Sequence, residues 1–133
     1  SGNLVGFLGE ECFLQAFPKA ERVQEYTHDV VLNKKRIEIK TKDRTVAPEP
    51  EFDVSIAAYN TTQNPDLYVF ISLLRRSNVF YRGFLLGYIK PEEYFSQAAF
   101  LREGWTDPSN GFIVRTDCYN LPISKLTSFK KKQ

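Results

Sequence analysis

Hydrophobic positions along the chain change between the spacing of a helix and the spacing of a strand. The segment Leu4–Phe17 has helical spacing and ends at Pro18, a residue that cannot continue a helix. Two later segments, Leu67–Leu74 and Val79–Ile89, are apolar runs of strand character, and the first is apolar enough to be buried on both faces. These patterns predict a helix and, further along the chain, two strands of a sheet.

Two more helices and a last strand or hairpin are predicted around these segments. Asp53 can cap a short helix that the Asn-Pro dipeptide at positions 64 and 65 ends. Pro91 begins another helix that extends to about Arg102, and Gly111–Tyr119 predicts the last strand or hairpin. With the hairpin described next, the element order is α, β, β, α, β, β, α, β. This order predicts a mixed β-sheet flanked by helices, in one layered α/β domain that covers residues 1–133.

The first two strands belong to a predicted hairpin in the segment Tyr26–Asp43, whose sequence is YTHDVVLNKKRIEIKTKD. Two short runs of β-branched residues flank a polar, basic tip, which is typical of a β-hairpin. Side chains alternate across a strand. One face of the second strand therefore carries Ile37, Ile39 and Thr41, and the other face carries Arg36, Glu38, Lys40 and Lys42.

Two hairpin registers are compatible with this pattern. A two-residue loop at positions 33 and 34 places Asp29 directly opposite Glu38, whereas a loop at positions 34 and 35 places Asp29 opposite Lys40. In both registers Asp29, Glu38 and Lys40 form one cluster, because directly paired residues share a face of the sheet. The alternative interpretation is a set of cross-strand ion pairs on an exposed sheet face.

The cluster of carboxylates and lysine predicts a metal site. Two facing carboxylates are unfavourable unless a cation neutralises them. Oxygen ligands on rigid strands, with room for water and phosphate oxygens, suit Mg²⁺. The ammonium group of Lys40, beside the metal, can orient a water molecule or help to deprotonate it.

The first helix carries two adjacent acidic residues that differ in their surroundings. On a helical wheel, Glu11 lies with Gln15 in the polar stripe. Glu10 instead lies between Phe17 and Leu14 in the apolar arc, where an unpaired carboxylate would be unfavourable. We therefore predict that Glu10 is the functional acid of this helix and that Glu11 is a solvated surface residue.

The spacing of these residues resembles the motif of the PD-(D/E)xK nuclease superfamily. Asp29 is followed, after eight intervening residues, by the Glu-Ile-Lys tripeptide at positions 38–40. The preceding helix supplies an acid within Gly9-Glu10, followed by Phe13. The resemblance covers residues 4–44, with one departure: His28 stands where the name-giving proline of the family would be.

The resemblance implies a restriction-endonuclease-like fold and hydrolysis of DNA phosphodiester bonds with Mg²⁺ or Mn²⁺. It implies that Asp29 and Glu38 bind the metal, that Glu10 completes the site and that the carbonyl of Ile39 is a further ligand. It also implies that Lys40 assists the attacking water.

Charge is unevenly distributed, although the 133-residue chain has a net charge of only +2. Residues 34–44 contain six basic and two acidic residues, and a basic patch around an acidic pair is what a phosphodiester substrate requires. Gln63 either contacts the same site or only caps a helix. The basic side chains expected to contact the DNA backbone are Lys34, Lys35, Arg36, Lys42 and Arg44.

The cysteine and histidine content excludes one class of metal site. The chain has two cysteines that are distant in sequence and a single histidine, so a Cys/His zinc site of the usual spacing is excluded. Reduced cysteines suit the cytoplasm, which is the expected compartment. No apolar run approaches the roughly 18 residues of a membrane-spanning helix, so we expect no membrane association.

The sequence therefore predicts a Mg²⁺-dependent deoxyribonuclease, with an endonuclease as the expected type. Two other functions are compatible with the same residues: a non-catalytic nucleic-acid-binding module of the same fold, and a ribonuclease, since the metal chemistry does not distinguish the sugars. A chain of this length holds the core of such a fold and little else. Three alternatives follow: the protein forms a homodimer to cut both strands, it recognises DNA shape, or it acts with further domains.

Overall fold

A computed structural model of the protein describes residues 2–23, 25, 27–60, 63–108 and 110–130. In chain order, its elements are α1 (Gly2–Ala16), β1 (Glu21–Arg22), β2 (Val30–Leu32), β3 (Lys35–Arg44), β4 (Asp53–Ala57), β5 (Leu67–Arg76), β6 (Val79–Ile89), α2 (Pro91–Gln97), β7 (Ala99–Leu101), β8 (Cys118–Pro122) and a 3-10 helix (Ile123–Lys125). None of the described helices is long and apolar enough to cross a membrane.

The described strands form two sheets. The larger sheet has five strands in the order β1-β2-β3-β5-β6, in which the central pair β3 and β5 is parallel and the other neighbours are antiparallel. The smaller sheet is antiparallel, with β8 between β4 and β7. The prediction of an α/β fold with a mixed sheet is therefore confirmed, whereas the second sheet was not predicted.

Two hydrophobic clusters lie on opposite faces of the larger sheet. One is covered by α1 and contains Phe13, Ile39 and Ile71. The other is covered by α2 and the smaller sheet and includes Phe70 of β5 and Tyr94 of α2. Strand β5 contributes alternate residues to both clusters, which explains why the segment is apolar at almost every position.

Helix α1 lies very close to the larger sheet at Gly9. A Cβ atom at this position would collide with the side chain of Thr41 on β3, so only glycine fits. A second close approach joins Cys12 of the helix to β6, where a Cβ at Gly83 would lie 2.6 Å from the cysteine Sγ. These contacts set the distance between the helix and the strand that carries the motif.

The helix predicted from Asp53 is wrong. Asp53–Ala57 forms β4, in which Val54 and Ile56 are buried and Ser55 is exposed. This two-residue period, with β-branched residues at the buried positions, is the pattern of a strand, and pairing with β8 stabilises it. Positions 61 and 62 of that predicted helix lie outside the described residues.

The C-terminal elements also differ from their predicted bounds. Helix α2 ends at Gln97, because Ala98 leaves the helical conformation and the next three residues pair with β8 as β7. The segment Gly111–Tyr119, predicted to be a strand or a hairpin, contributes to one of each. Ile113 pairs with Thr106 in a hairpin, and strand β8 begins only at Cys118.

Candidate metal centre

A tight turn fixes the register of the β2–β3 hairpin. Asn33 and Lys34 have φ angles of 50° and 65°, and Leu32 pairs with Lys35 across them. Positive φ at both central residues is the backbone of a type I′ turn, which suits the twist of a two-residue hairpin loop. The first of the two predicted registers is therefore confirmed. Tyr26, at the start of the predicted hairpin segment, lies outside the described residues.

This register places Asp29 just before β2, beside the centre of β3. The regular pairing ends at Val30 and Ile37. The next residues on the two sides of the hairpin are Asp29 and Glu38, which therefore lie beside each other. The carboxylate oxygen Oδ2 of Asp29 accepts a hydrogen bond of 2.8 Å from the backbone N–H of Ile39. The peptide N–H of Asp29 also donates to the carbonyl of Ile37 at 2.9 Å. Both bonds hold the Asp29 carboxylate against the strand that carries the rest of the motif.

The structure brings Glu38 and Lys40 into direct contact. The Nζ atom of Lys40 lies 3.5 Å from Oε2 of Glu38, and both side chains are largely buried. Burial and, next, the neighbouring Asp29 carboxylate raise the pKa of Glu38 to about 7. Burial also lowers the pKa of Lys40, although both carboxylates act in the opposite direction. The predicted cluster of Asp29, Glu38 and Lys40 therefore exists as a group of mutually interacting charges.

The residues of this cluster fit a hard divalent cation. Among the described residues, no group of three or more His, Cys, Asp and Glu side chains is placed to hold a metal ion. However, Mg²⁺ keeps several waters and commonly binds through one or two carboxylates, a number that Asp29 and Glu38 supply. Burial and the Asp29 carboxylate both make the charged form of Glu38 less favourable, and a bound cation would offset both effects.

The two acids of α1 share one partner, which the sequence did not reveal. Nε of Arg22 donates to Oε1 of Glu10 at 2.9 Å, and its Nη1 donates to Oε1 of Glu11 at the same distance. The Glu10 side chain is the more buried, with 22% of its surface exposed against 39% for Glu11. Burial and, more weakly, Asp29 raise the pKa of Glu10. Glu10 thus interacts electrostatically with Asp29 of the cluster, and its role as a metal ligand stays a prediction.

Two of the predicted DNA contacts already have partners within the protein. Arg36 forms a two-pronged ion pair with Asp66, with distances of 3.1 and 3.3 Å. This pairing lowers the pKa of Asp66 to about 2. Arg44 donates to Oγ of Ser72 at 3.0 Å and to the carbonyl of Asp53 at 2.9 Å. Both arginines therefore connect elements of the fold, and no local pattern in the sequence identified these partners.

The three predicted lysine contacts are exposed. Lys34 and Lys35 lie at the tip of the hairpin, and Lys42 lies further along the polar face of β3. Their position on either side of Glu38 and Lys40 leaves them available to a ligand that spans the cluster.

Gln63 is placed near the start of the hairpin and has an unsatisfied oxygen. Its Oε1 atom is buried without a hydrogen-bond partner. The next residue, Asn64, donates its backbone N–H to the carbonyl of Thr27, two residues before Asp29. The helix that Gln63 was predicted to cap is absent, since β4 occupies the start of that segment. Contact between Gln63 and the candidate site stays a prediction.

Comparison with protein-family models gives no match for this chain, and neither the curated proteins nor the solved structures contain a match. A functional assignment therefore depends on the geometry of the cluster and on the motif.

Proposed function

We propose that this protein is a Mg²⁺-dependent deoxyribonuclease with the restriction-endonuclease-like fold of the PD-(D/E)xK superfamily. The observation that supports this proposal most directly is the contact between Glu38 and Lys40 next to the backbone-anchored carboxylate of Asp29. A pair of acids can hold a divalent metal that activates water for hydrolysis of a phosphodiester, and an adjacent lysine can orient that water.

The proposal assigns the metal to Asp29, Glu38 and the carbonyl of Ile39, with Glu10 completing the site. A bound Mg²⁺ or Mn²⁺ would lower the pKa of water and neutralise charge that develops on the phosphate. The anchoring of Asp29 by the Ile39 N–H keeps one carboxylate in place before any cation binds. Such preorganisation reduces the cost of gathering ligands around the ion.

Lys40 positions the attacking water and the phosphate. Its ammonium is held near Glu38, and burial lowers its pKa, which brings its proton exchange closer to neutral pH. In the hydrolysis, the water oxygen forms a bond to phosphorus, one bridging P–O bond breaks, and the departing oxygen takes up a proton. Lys40 can donate hydrogen bonds to a non-bridging phosphate oxygen throughout this exchange.

The exposed lysines Lys34, Lys35 and Lys42 are proposed to hold the DNA backbone without reading the base sequence. This arrangement predicts binding that weakens steeply with salt concentration.

Nicking of supercoiled plasmid tests the proposed function. We expect the purified protein to nick the plasmid with Mg²⁺, and we expect Asp29→Asn to be inactive although asparagine can still accept the Ile39 N–H. Lys19→Ala, at an exposed lysine outside the cluster, is the matched control and should cut at the wild-type rate. Equal nicking by Asp29→Asn and wild type would reject the proposed active site. Preferential cleavage of RNA over DNA would reject the proposed substrate.

A further inference from the structure

A cavity of about 750 Å³ opens beside the polar face of β3. Its walls come from β3, from the smaller sheet and from the hairpin at positions 105–114. The polar and aromatic side chains of its lining include Lys42, Arg44, Asp53, Phe112, Arg115 and Asn120.

The cavity adjoins the candidate metal centre along one strand. Lys42 follows Lys40 by two residues, so both side chains lie on the same face of β3. At a rise of about 3.3 Å per residue, their Cα atoms are roughly 7 Å apart. A nucleic-acid strand with one phosphate at Lys40 would therefore place an adjacent nucleotide at the cavity.

The charges of the cavity do not favour a run of phosphates. Its three basic side chains are accompanied by three acidic ones, Glu51, Asp53 and Asp107. A groove that binds a duplex through its backbone is instead dominated by basic residues. A balanced set of charges suits a ligand that has both hydrogen-bond donors and acceptors and carries little net charge of its own.

The other lining groups suit a nucleoside. Phe112 is 54% exposed and offers an aromatic face for stacking. The Asn120 amide hydrogen-bonds Asp53 and accepts from Cys118 Sγ at 3.4 Å, and both the amide and the carboxylate keep further hydrogen-bonding capacity. Carboxylates such as Asp53 can accept a hydrogen bond from the exocyclic amine of a base. Arg44 is held in place by Ser72 and by the backbone of Asp53, so this wall of the cavity is rigid.

A base in a duplex is stacked and paired, so it reaches a pocket of this kind only when it is unpaired. The volume also lies within the range of sites that enclose small organic groups. We propose that this cavity binds an unpaired nucleotide adjacent to the phosphate at Lys40, so that the substrate contains a single-stranded DNA segment. The inference rests on the proposed function, since it places the scissile phosphate at the candidate metal centre.

The single tryptophan of the chain makes a direct binding test possible. Trp105 lies on the hairpin that forms one wall, and its carbonyl accepts a hydrogen bond from the N–H of Val114, a lining residue. Protein in EDTA can be titrated with a 10-mer of deoxycytidylate and, separately, with a blunt-ended DNA hairpin. We expect the single strand to change Trp105 fluorescence and to bind at least tenfold more tightly than the duplex.

Two variants locate the binding. Phe112→Ala should weaken single-strand binding by roughly 5- to 150-fold, the range found when a stacking side chain is removed. Arg115→Ala, at a second exposed lining residue, should weaken it as well. Phe100→Ala is the matched control, because Phe100 is 45% exposed on β7 but does not line the cavity. Melting temperatures of all three variants verify that each is folded.

Equal affinity for single strand and duplex would overturn the inference, as would wild-type binding by both Phe112→Ala and Arg115→Ala. The titration involves neither metal nor turnover, so its outcome is independent of the nicking assay. A protein that nicks plasmid without preferring single strands would refute only the cavity assignment. A protein that binds single strands in the cavity but never cuts DNA would refute only the proposed enzyme activity.

Discussion

Glu38 is a carboxylate with only 7% of its surface exposed, and its only close cation among the described contacts is Lys40. Its pKa of about 7 lies above the ordinary value of 4.5. Between these two values, the folded protein retains a proton that the unfolded chain releases. The stability of the metal-free protein should therefore fall as the pH rises from about 4.5 through 7.

We predict that this loss amounts to about 3 kcal/mol and that Glu38→Gln removes most of it. Thermal unfolding in EDTA at a series of pH values between 5 and 8 measures the slope for each protein. Glu103→Gln, at an exposed acid, should keep the wild-type slope. An unchanged slope in Glu38→Gln would show that another group controls the pH dependence.

Lys40 and Asp29 should separate metal binding from catalysis. A protonated lysine has no lone pair for a cation, so Lys40→Ala should keep its affinity for Mn²⁺ and lose at least 100-fold in nicking rate. Asp29→Asn should lose both, because a proposed ligand is replaced. Calorimetric titration with Mn²⁺ beside the plasmid assay measures the two properties, and equal Mn²⁺ affinity of Asp29→Asn and wild type would contradict the ligand assignment.

At the scale of the element, the close packing of α1 on β3 predicts opposite changes in stability when two glycines of this helix are replaced by alanine. Gly9→Ala would push a methyl group into Thr41 and should destabilise the protein by about 1–3 kcal/mol. At Gly6, the position that a methyl group would take has no neighbour within 4 Å in the described structure. Gly6→Ala should therefore raise stability by up to about 1 kcal/mol through helix propensity. Urea unfolding measures both, and equal stabilities of the two variants would refute this packing.

The phase of the same helix distinguishes its two acids. Glu10→Gln should reduce nicking strongly and leave stability unchanged or slightly higher, because a partly buried charge is removed. Glu11→Gln should change neither property by much, although both acids bind Arg22. Melting temperature and nicking rate are measured side by side. An inactive Glu11→Gln with an active Glu10→Gln would show that Glu11 is the functional acid.

Local patterns in the sequence predicted the elements that surround the cluster. The hairpin and its charged face follow from short-range alternation, strands β5 and β6 follow from apolar runs, and one of two proposed registers is the observed one. The same reasoning failed at Asp53, where a residue that often caps helices outweighed the alternation of Val54 and Ile56. Alternation over only five residues is a weak local signal, and the partner strand that stabilises it is distant in sequence.

At the scale of the whole molecule, the sequence predicted which residues of the hairpin come together better than it predicted the contacts around them. Asp29, Glu38 and Lys40 come together because the hairpin brings near neighbours into contact. The partners of Arg22 and Arg36 could not be predicted, because those contacts depend on how α1 and the β4–β5 connection pack on the sheet.

Cleavage of DNA at the proposed site should depend on the identity of the metal. An all-oxygen set of ligands predicts that Mg²⁺ or Mn²⁺ supports cleavage and that Ca²⁺ supports DNA binding without turnover. Plasmid nicking and fluorescence anisotropy with labelled DNA measure the two activities in each metal. Full cleavage in excess EDTA would exclude a metal-dependent mechanism.

The position of β8 has a consequence for how the protein forms during synthesis. This strand lies at the centre of the smaller sheet although it is the last strand of the described chain. About 60 residues are therefore synthesised between β4 and the strand that pairs with it. The hairpin with Asp29 and Glu38 can form long before then. A nascent chain shorter than Cys118 would therefore hold Asp29, Glu38 and Lys40 together while Tyr68 and Phe70, on the same face of the larger sheet as Glu38 and Lys40, lack the cover that β8 supplies. Until β8 emerges, that apolar face is the part of the molecule most exposed to aggregation and to chaperones.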